Sequence, residues 1–77
     1  MSGLPVVNGK RLVKILMARG FAVVRIEGSH HVMRDASGKR TVVPVHGNED
    51  VYRPLLRDIL RQAGIPIADY LELLRKN

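Results

Sequence analysis

Residues 21–45 hold three β-rich runs separated by only two and then four residues, and that spacing restricts the fold more than any other feature. Phe21-Ala22-Val23-Val24-Arg25-Ile26-Glu27 is the first run, His30 to Arg34 the second, and Lys39 to Val45 the third. A parallel return needs a crossover of a dozen residues or more, whereas a two-residue connection closes an antiparallel hairpin. Gly28-Ser29 suits a type II′ turn, whose first loop position needs a positive φ that glycine adopts without steric penalty. Asp35-Ala36-Ser37-Gly38 provides the second turn. Pro44 has no N–H to give a ladder, so the third strand should end there or place that position on an edge.

Helical patterns flank this meander. From Lys10 to Arg19, Leu12, Ile15 and Leu16 recur at helical spacing, with Val13 and Met17 widening the stripe. Asn8 is a fitting N-cap and Gly20 a fitting residue just past the end. A second helix is expected from Val51 or Arg53 to Ala63, with Leu56, Ile59, Leu60 and Ala63 inward and Pro54 tolerated only in the first turn. Ile65-Pro66 opens a short third helix, with Ile67, Tyr70, Leu71 and Leu74 on one face. The expected fold is therefore α+β, ordered α-β-β-β-α with an added C-terminal helix. The helices cover one face of a three-stranded antiparallel sheet and leave the other bare, an architecture shared by double-stranded-RNA-binding domains. With 77 residues there is room for one domain, 1–77, and a thin core.

Charge says more than size. The net charge is +6, and all of the excess belongs to residues 1–46, where Lys10, Arg11, Lys14, Arg19, Arg25, Arg34, Lys39 and Arg40 face only Glu27 and Asp35. One-sided cationic charge suits a polyanion, because bound phosphates release condensed counterions. The plainer reading is a solubilising surface. The chain has no cysteine, which removes disulfides and thiolate-bound zinc and suits a reducing cytoplasm. The opening residues lack the pattern of a signal peptide, and no apolar run is long enough to span a membrane. No phosphate-binding glycine loop, serine triad or paired-carboxylate arrangement is present.

Two of three histidines lie side by side in Gly28-Ser29-His30-His31. Along a strand, His30, Val32 and Arg34 share one face and His31 and Met33 the other. Methionine is a natural core filler and arginine is costly to bury, so His30 is expected on the bare face beside Arg34, with Arg25 or Arg40 near. A β-bulge near Gly28 would reverse this. His31 reads more simply as a half-buried structural residue. His46 reads as a loop anchor or a second proton carrier. Adjacent strand histidines point apart and no carboxylate has a ligand spacing, so no metal site is expected.

Gly20-Phe21, Gly28-Ser29-His30-His31, Val43-Pro44-Val45-His46-Gly47 and Leu56-Arg57-Asp58-Ile59-Leu60-Arg61-Gln62-Ala63-Gly64-Ile65 together resemble the HicA (YcfA-like) family of type II toxins. The similarity runs from about Gly9 to Leu74. It implies a metal-independent mRNA interferase that slows growth by cutting transcripts, works without a cofactor and is silenced by a HicB antitoxin. It also implies a monomer that becomes a hetero-oligomer with the antitoxin. The family's essential histidine carries over to His30, with His31 as an alternate and His46 as a possible second proton carrier. Arg25, Ser29, Arg34, Lys39, Arg40 and Lys10 are the expected RNA contacts. The competing expectation is a non-catalytic RNA- or DNA-binding module with the same basic surface. A third is a protein-interaction domain that adds a strand to the sheet edge.

Overall fold

The computed structural model describes residues 3–76; Met1, Ser2 and Asn77, which the one-domain reading includes, lie outside the described residues. Helix α1 spans Gly9–Ala18 and begins where Asn8 accepts the Arg11 N–H on its side-chain oxygen at 2.8 Å. It ends in a Schellman motif: the Gly20 N–H donates to the Met17 carbonyl and the Phe21 N–H to Leu16, each at 3.0 Å. Leu12, Ile15 and Leu16 are fully buried, while Met17 on the margin of the stripe stays more than half exposed.

Three strands follow, β1 (Ala22–Glu27), β2 (His30–Arg34) and β3 (Arg40–Pro44), paired antiparallel in the order β1-β2-β3. β3 stops at its proline, on the sheet edge, and starts one residue later than the pattern suggested. Asp35 takes Lys39 into the turn instead: its Oδ1 accepts the Ser37 and Lys39 N–H groups and the Ser37 hydroxyl. Burial alone would raise that carboxyl, but the Ser37 and Lys39 hydrogen bonds and the Lys39 ammonium together hold it below the usual aspartate value.

Helix α2 (Arg53–Gln62) carries Pro54 in its first turn and ends in a second Schellman motif, the Ile65 N–H donating to Leu60 at 2.9 Å and Gly64 N–H to Arg61 at 3.1 Å. Helix α3 (Ile67–Lys76) completes the order α-β-β-β-α-α. Met33 and Val43 from the sheet meet Leu12, Ile15, Leu16, Leu56, Ile59, Leu60 and Tyr70 in one core. All three helices contribute to the same side, so one sheet face is packed and the other bare. Tyr70, fully buried, donates its hydroxyl to the Pro5 carbonyl at 2.7 Å, and Thr41 donates to the Gln62 side chain at 2.7 Å. The expected inward face of α3 is rotated: Tyr70, Leu73 and Leu74 pack inward, and Ile67 and Leu71 remain about 40% exposed.

Gly9 sets how closely α1 approaches the sheet. A Cβ there would overlap the Pro44 carbonyl oxygen and come within 2.8 Å of the Val45 Cα. Only a bare backbone fits. The contact places the start of α1 against the end of β3, one residue from Lys10.

Candidate active site

Gly28 has φ 59, and among the described residues none other than glycine has a positive φ, so Ser29 does not, which is the pattern of a type II′ turn. This turn starts β2 with His30 opposite Glu27 on β1 and Pro44 on β3. From that register the strand alternates. Met33 is fully buried toward the helices, and His30 and Arg34 are exposed on the bare face. A bulge does exist, but it lies in β1 between Val23 and Arg25. It leaves the alternation of β2 intact and brings Arg25 opposite Val32. His31 points the other way, half-buried between its strand partners Ile26 and Val43. Its Nδ1 is buried and has no hydrogen-bond partner among the described residues. The two histidines thus occupy opposite sides of the sheet.

Further along the bare face, Val24, Arg25, Val32, Arg34 and Arg40 line a shallow hollow of about 390 Å³. Val32 is only 4% exposed although it stands on the side without helices. Arginines line the hollow around it, and long cationic side chains characteristically lay their aliphatic stems over apolar surface while the charged head stays in water. Arg34 and Arg40 are direct cross-strand partners, and neither is matched with a carboxylate among the described residues. Like charges placed opposite one another weaken a sheet. An arrangement that opposes folding in this way favours an external anion that bridges the two groups. Arg25 is partly occupied by Glu27 at 3.1 Å.

On the other side of His30 the chain closes a second contact. The Ser29 carbonyl accepts the Val45 N–H at 2.7 Å, and Ser29 Oγ lies 3.4 Å from His46 Nε2. His30, Ser29 and His46 are therefore gathered at one end of the sheet, with Arg25, Arg34 and Arg40 toward the other. Lys39 does not join them. Its Nζ reaches Ser37 Oγ at 3.1 Å and Asp35 at 3.8 Å, and its stem lies against Gly64 at the end of α2. Lys10 is exposed in the first turn of α1. Arg11 donates to the Leu74 carbonyl at 2.7 Å, where a cation suits the negative end of α3.

Sequence reasoning overlooked the surroundings of His46. Pro44, His46, Glu49, Asp50, Val51, Tyr52 and Leu55 line a hollow of about 260 Å³, with Tyr52 74% exposed. The signal was present in an unneeded aromatic directly before the proline-led start of α2. Among the described residues no three metal-ligating side chains cluster, and no helix is long and apolar enough to cross a membrane.

A comparison with curated proteins found no match. The family model described as the HicA toxin of bacterial toxin–antitoxin matches residues 9–65. That span contains α1, the whole sheet with His30, His31 and the arginine hollow, His46 and its pocket, and α2. Since the match covers well over half of the 77 residues and every element that builds the site, the chain belongs to the HicA toxin family of bacterial toxin–antitoxin systems.

Proposed function

We propose that this toxin is a metal-independent mRNA endoribonuclease in which His30 moves the proton, and that a HicB-like antitoxin silences it in a hetero-oligomer. One observation carries the reading: His30 stands exposed on a helix-free sheet face between an unneutralised arginine pair and a second histidine. RNA carries its own nucleophile. His30 takes the proton from a 2′-hydroxyl, the 2′-oxygen bonds to phosphorus, and the bond from phosphorus to the 5′-oxygen breaks. His46 returns a proton to the leaving oxygen, and the products are a 2′,3′-cyclic phosphate and a free 5′-hydroxyl.

The arginines take their roles in this reading from their distance along the strand. Arg25 pairs with Val32, two residues from His30, or about 7 Å along the strand, near enough to stabilise charge on the reacting phosphate. Arg34 and Arg40 stand four residues away, about 13 Å, and hold a flanking phosphate. Ser29 orients His46. Lys10 extends the positive field at the start of α1, and Lys39, tied to its own turn, contributes only at long range.

Inducible expression with growth and total RNA followed together tests this. His30→Ala should lower cleavage about 10²- to 10⁴-fold and relieve growth arrest while the fold persists. His31→Ala should act on stability instead. The basic face is equally compatible with a non-catalytic RNA- or DNA-binding module, and the same experiment separates the two. A catalyst loses turnover but retains binding in His30→Ala and loses binding in Arg34→Ala, whereas a binder shows only graded, salt-dependent loss. A His30→Ala protein that still cuts RNA, or cleavage that EDTA abolishes, would overturn the proposal.

A further inference from the structure

The two hollows on either side of His30 are chemically opposite. The arginine hollow suits phosphate. The hollow at His46 has apolar walls in Pro44, Val51 and Leu55, an exposed tyrosine at its mouth, and two carboxylates, Glu49 and Asp50, that no cation neutralises among the described residues. Phosphate is repelled there. At about 260 Å³ it is also smaller than the roughly 300–1,000 Å³ of sites for drug-sized ligands. A planar, uncharged ring that stacks on tyrosine and donates hydrogen bonds to carboxylates matches it.

We propose that this hollow seats one unpaired base of the RNA next to the cleaved bond, with Tyr52 as stacking platform and the Glu49–Asp50 rim selecting a base with adjacent N–H donors, guanine foremost. The inference rests on the ribonuclease reading of His30. Continuity between the two is structural: Pro44 lines the hollow and is the direct strand partner of His30, and His46 lines it while contacting Ser29 beside His30. A strand crossing the sheet would place a phosphate at the arginines, the reacting ribose at His30 and the adjacent base at Tyr52. Guanine presents N1–H and the 2-amino group side by side, which one carboxylate can accept in parallel. Uracil offers one imino donor, and hypoxanthine lacks the amino group.

Tyrosine emission provides a reading independent of cleavage. The chain has no tryptophan and two tyrosines, of which Tyr70 is buried and Tyr52 exposed, so a stacked base quenches Tyr52 alone. The probes are single-stranded hexanucleotides with guanine, hypoxanthine or uracil at one position. They are 2′-O-methylated for binding and carry one free 2′-hydroxyl for cleavage. Wild type should show quenching and a kcat/KM for guanine about tenfold above that for hypoxanthine. Tyr52→Ala should lower kcat/KM about 5- to 150-fold, and Tyr52→Phe should restore it. Glu49→Gln combined with Asp50→Asn should erase the guanine preference. Cleavage that ignores the base and the Tyr52 variants would sink the base pocket and leave the ribonuclease standing. Tyr52 quenching that is stronger with the guanine probe, without cleavage by wild type, would sink the ribonuclease and leave the base pocket as a binding site.

Discussion

Arg40→Gln should make the protein more stable and a poorer binder of RNA at the same time. Arg34 and Arg40 are opposed across β2 and β3 with no carboxylate between them among the described residues. Two unit charges about 6 Å apart in a watery environment repel by about 0.7 kcal/mol, within the roughly 0.2–1 kcal/mol range of cross-strand pairs. Glutamine removes the charge but keeps part of the stem that shields Val32, so little apolar cover is lost. For a domain of this size such a gain raises Tm by about 1–8 °C. The effect should fade toward 1 M salt, where the Debye length falls to about 3 Å. Urea titration should show a higher midpoint with an unchanged slope. Anisotropy with a single-stranded RNA at several salt concentrations should show the log–log slope reduced by about 0.7, the signature of one lost phosphate contact. Lower stability together with an unchanged salt slope would mean that Arg40 supports the sheet, and the bare face would lose its claim to be an anion site.

Gly9→Ala should destabilise by about 1–3 kcal/mol, because the new methyl meets the Pro44–Val45 backbone rather than a movable side chain; a variant with an unchanged urea midpoint would refute the close approach. Met33→Ala should cost about 2–5 kcal/mol by leaving a cavity under β2, and calorimetry reads it directly. Asp35 has a lowered pKa, so its contribution is complete above the ordinary aspartate value and is lost as pH falls through the depressed one. The stability gap between wild type and Asp35→Asn should therefore narrow as pH falls below the ordinary aspartate value. At the alkaline end, burial, opposed by Arg11 and assisted by Asp50, raises the Tyr70 pKa. Its contribution is intact below pH 10 and declines as pH rises through the raised value, a decline that Tyr70→Phe should flatten.

The sheet and its register were legible because turn chemistry decides them locally. Gly28-Ser29 dictates the hairpin, and alternation from that point sends His30 and His31 to opposite faces without reference to anything distant. The caps at Asn8, Gly20 and Gly64 are equally local. What the sequence withheld depends on contacts far apart in the chain. Lys39 looked like a phosphate ligand by charge and strand position, but the turn around Asp35 runs one residue further and folds the side chain onto Gly64, 25 positions on. Arg11 looked free for an anion until α3 brought the Leu74 carbonyl to it, 63 positions away. Pattern alone also misjudged α3, since the buried stripe is set by where Tyr70 meets Pro5 and not by hydropathy.

Those misplacements share a direction that bears on function. The basic excess of residues 1–46 looked like one surface in the sequence, yet folding divides it. Arg11, Arg19 and Lys39 are spent on Leu74, Asp69 and the Asp35 turn, all outside the bare face. Arg34 and Arg40 remain without a carboxylate, and Arg25 holds one that a phosphate can displace from an exposed pair. Lys10, Lys14 and Arg57 on the helices also lack a carboxylate among the described residues, but on the sheet Arg34 and Arg40 stand as direct cross-strand partners along the strand that carries His30. The charge changes sign at the Glu49–Asp50 rim beyond the other end of that strand. A gradient of that kind orients a strand as well as attracting one, with its phosphates toward the arginines and a neutral base toward the carboxylates. Reversing the gradient should therefore do more than weaken binding. Arg34→Glu with Glu49→Lys should leave net charge unchanged, yet abolish the register that brings a 2′-hydroxyl to His30. The measurement is the cut position on an end-labelled RNA at concentrations that saturate the variant: scattered or absent cuts there support an orienting role, and an unchanged cleavage ladder would reduce the arginine pair to simple attraction.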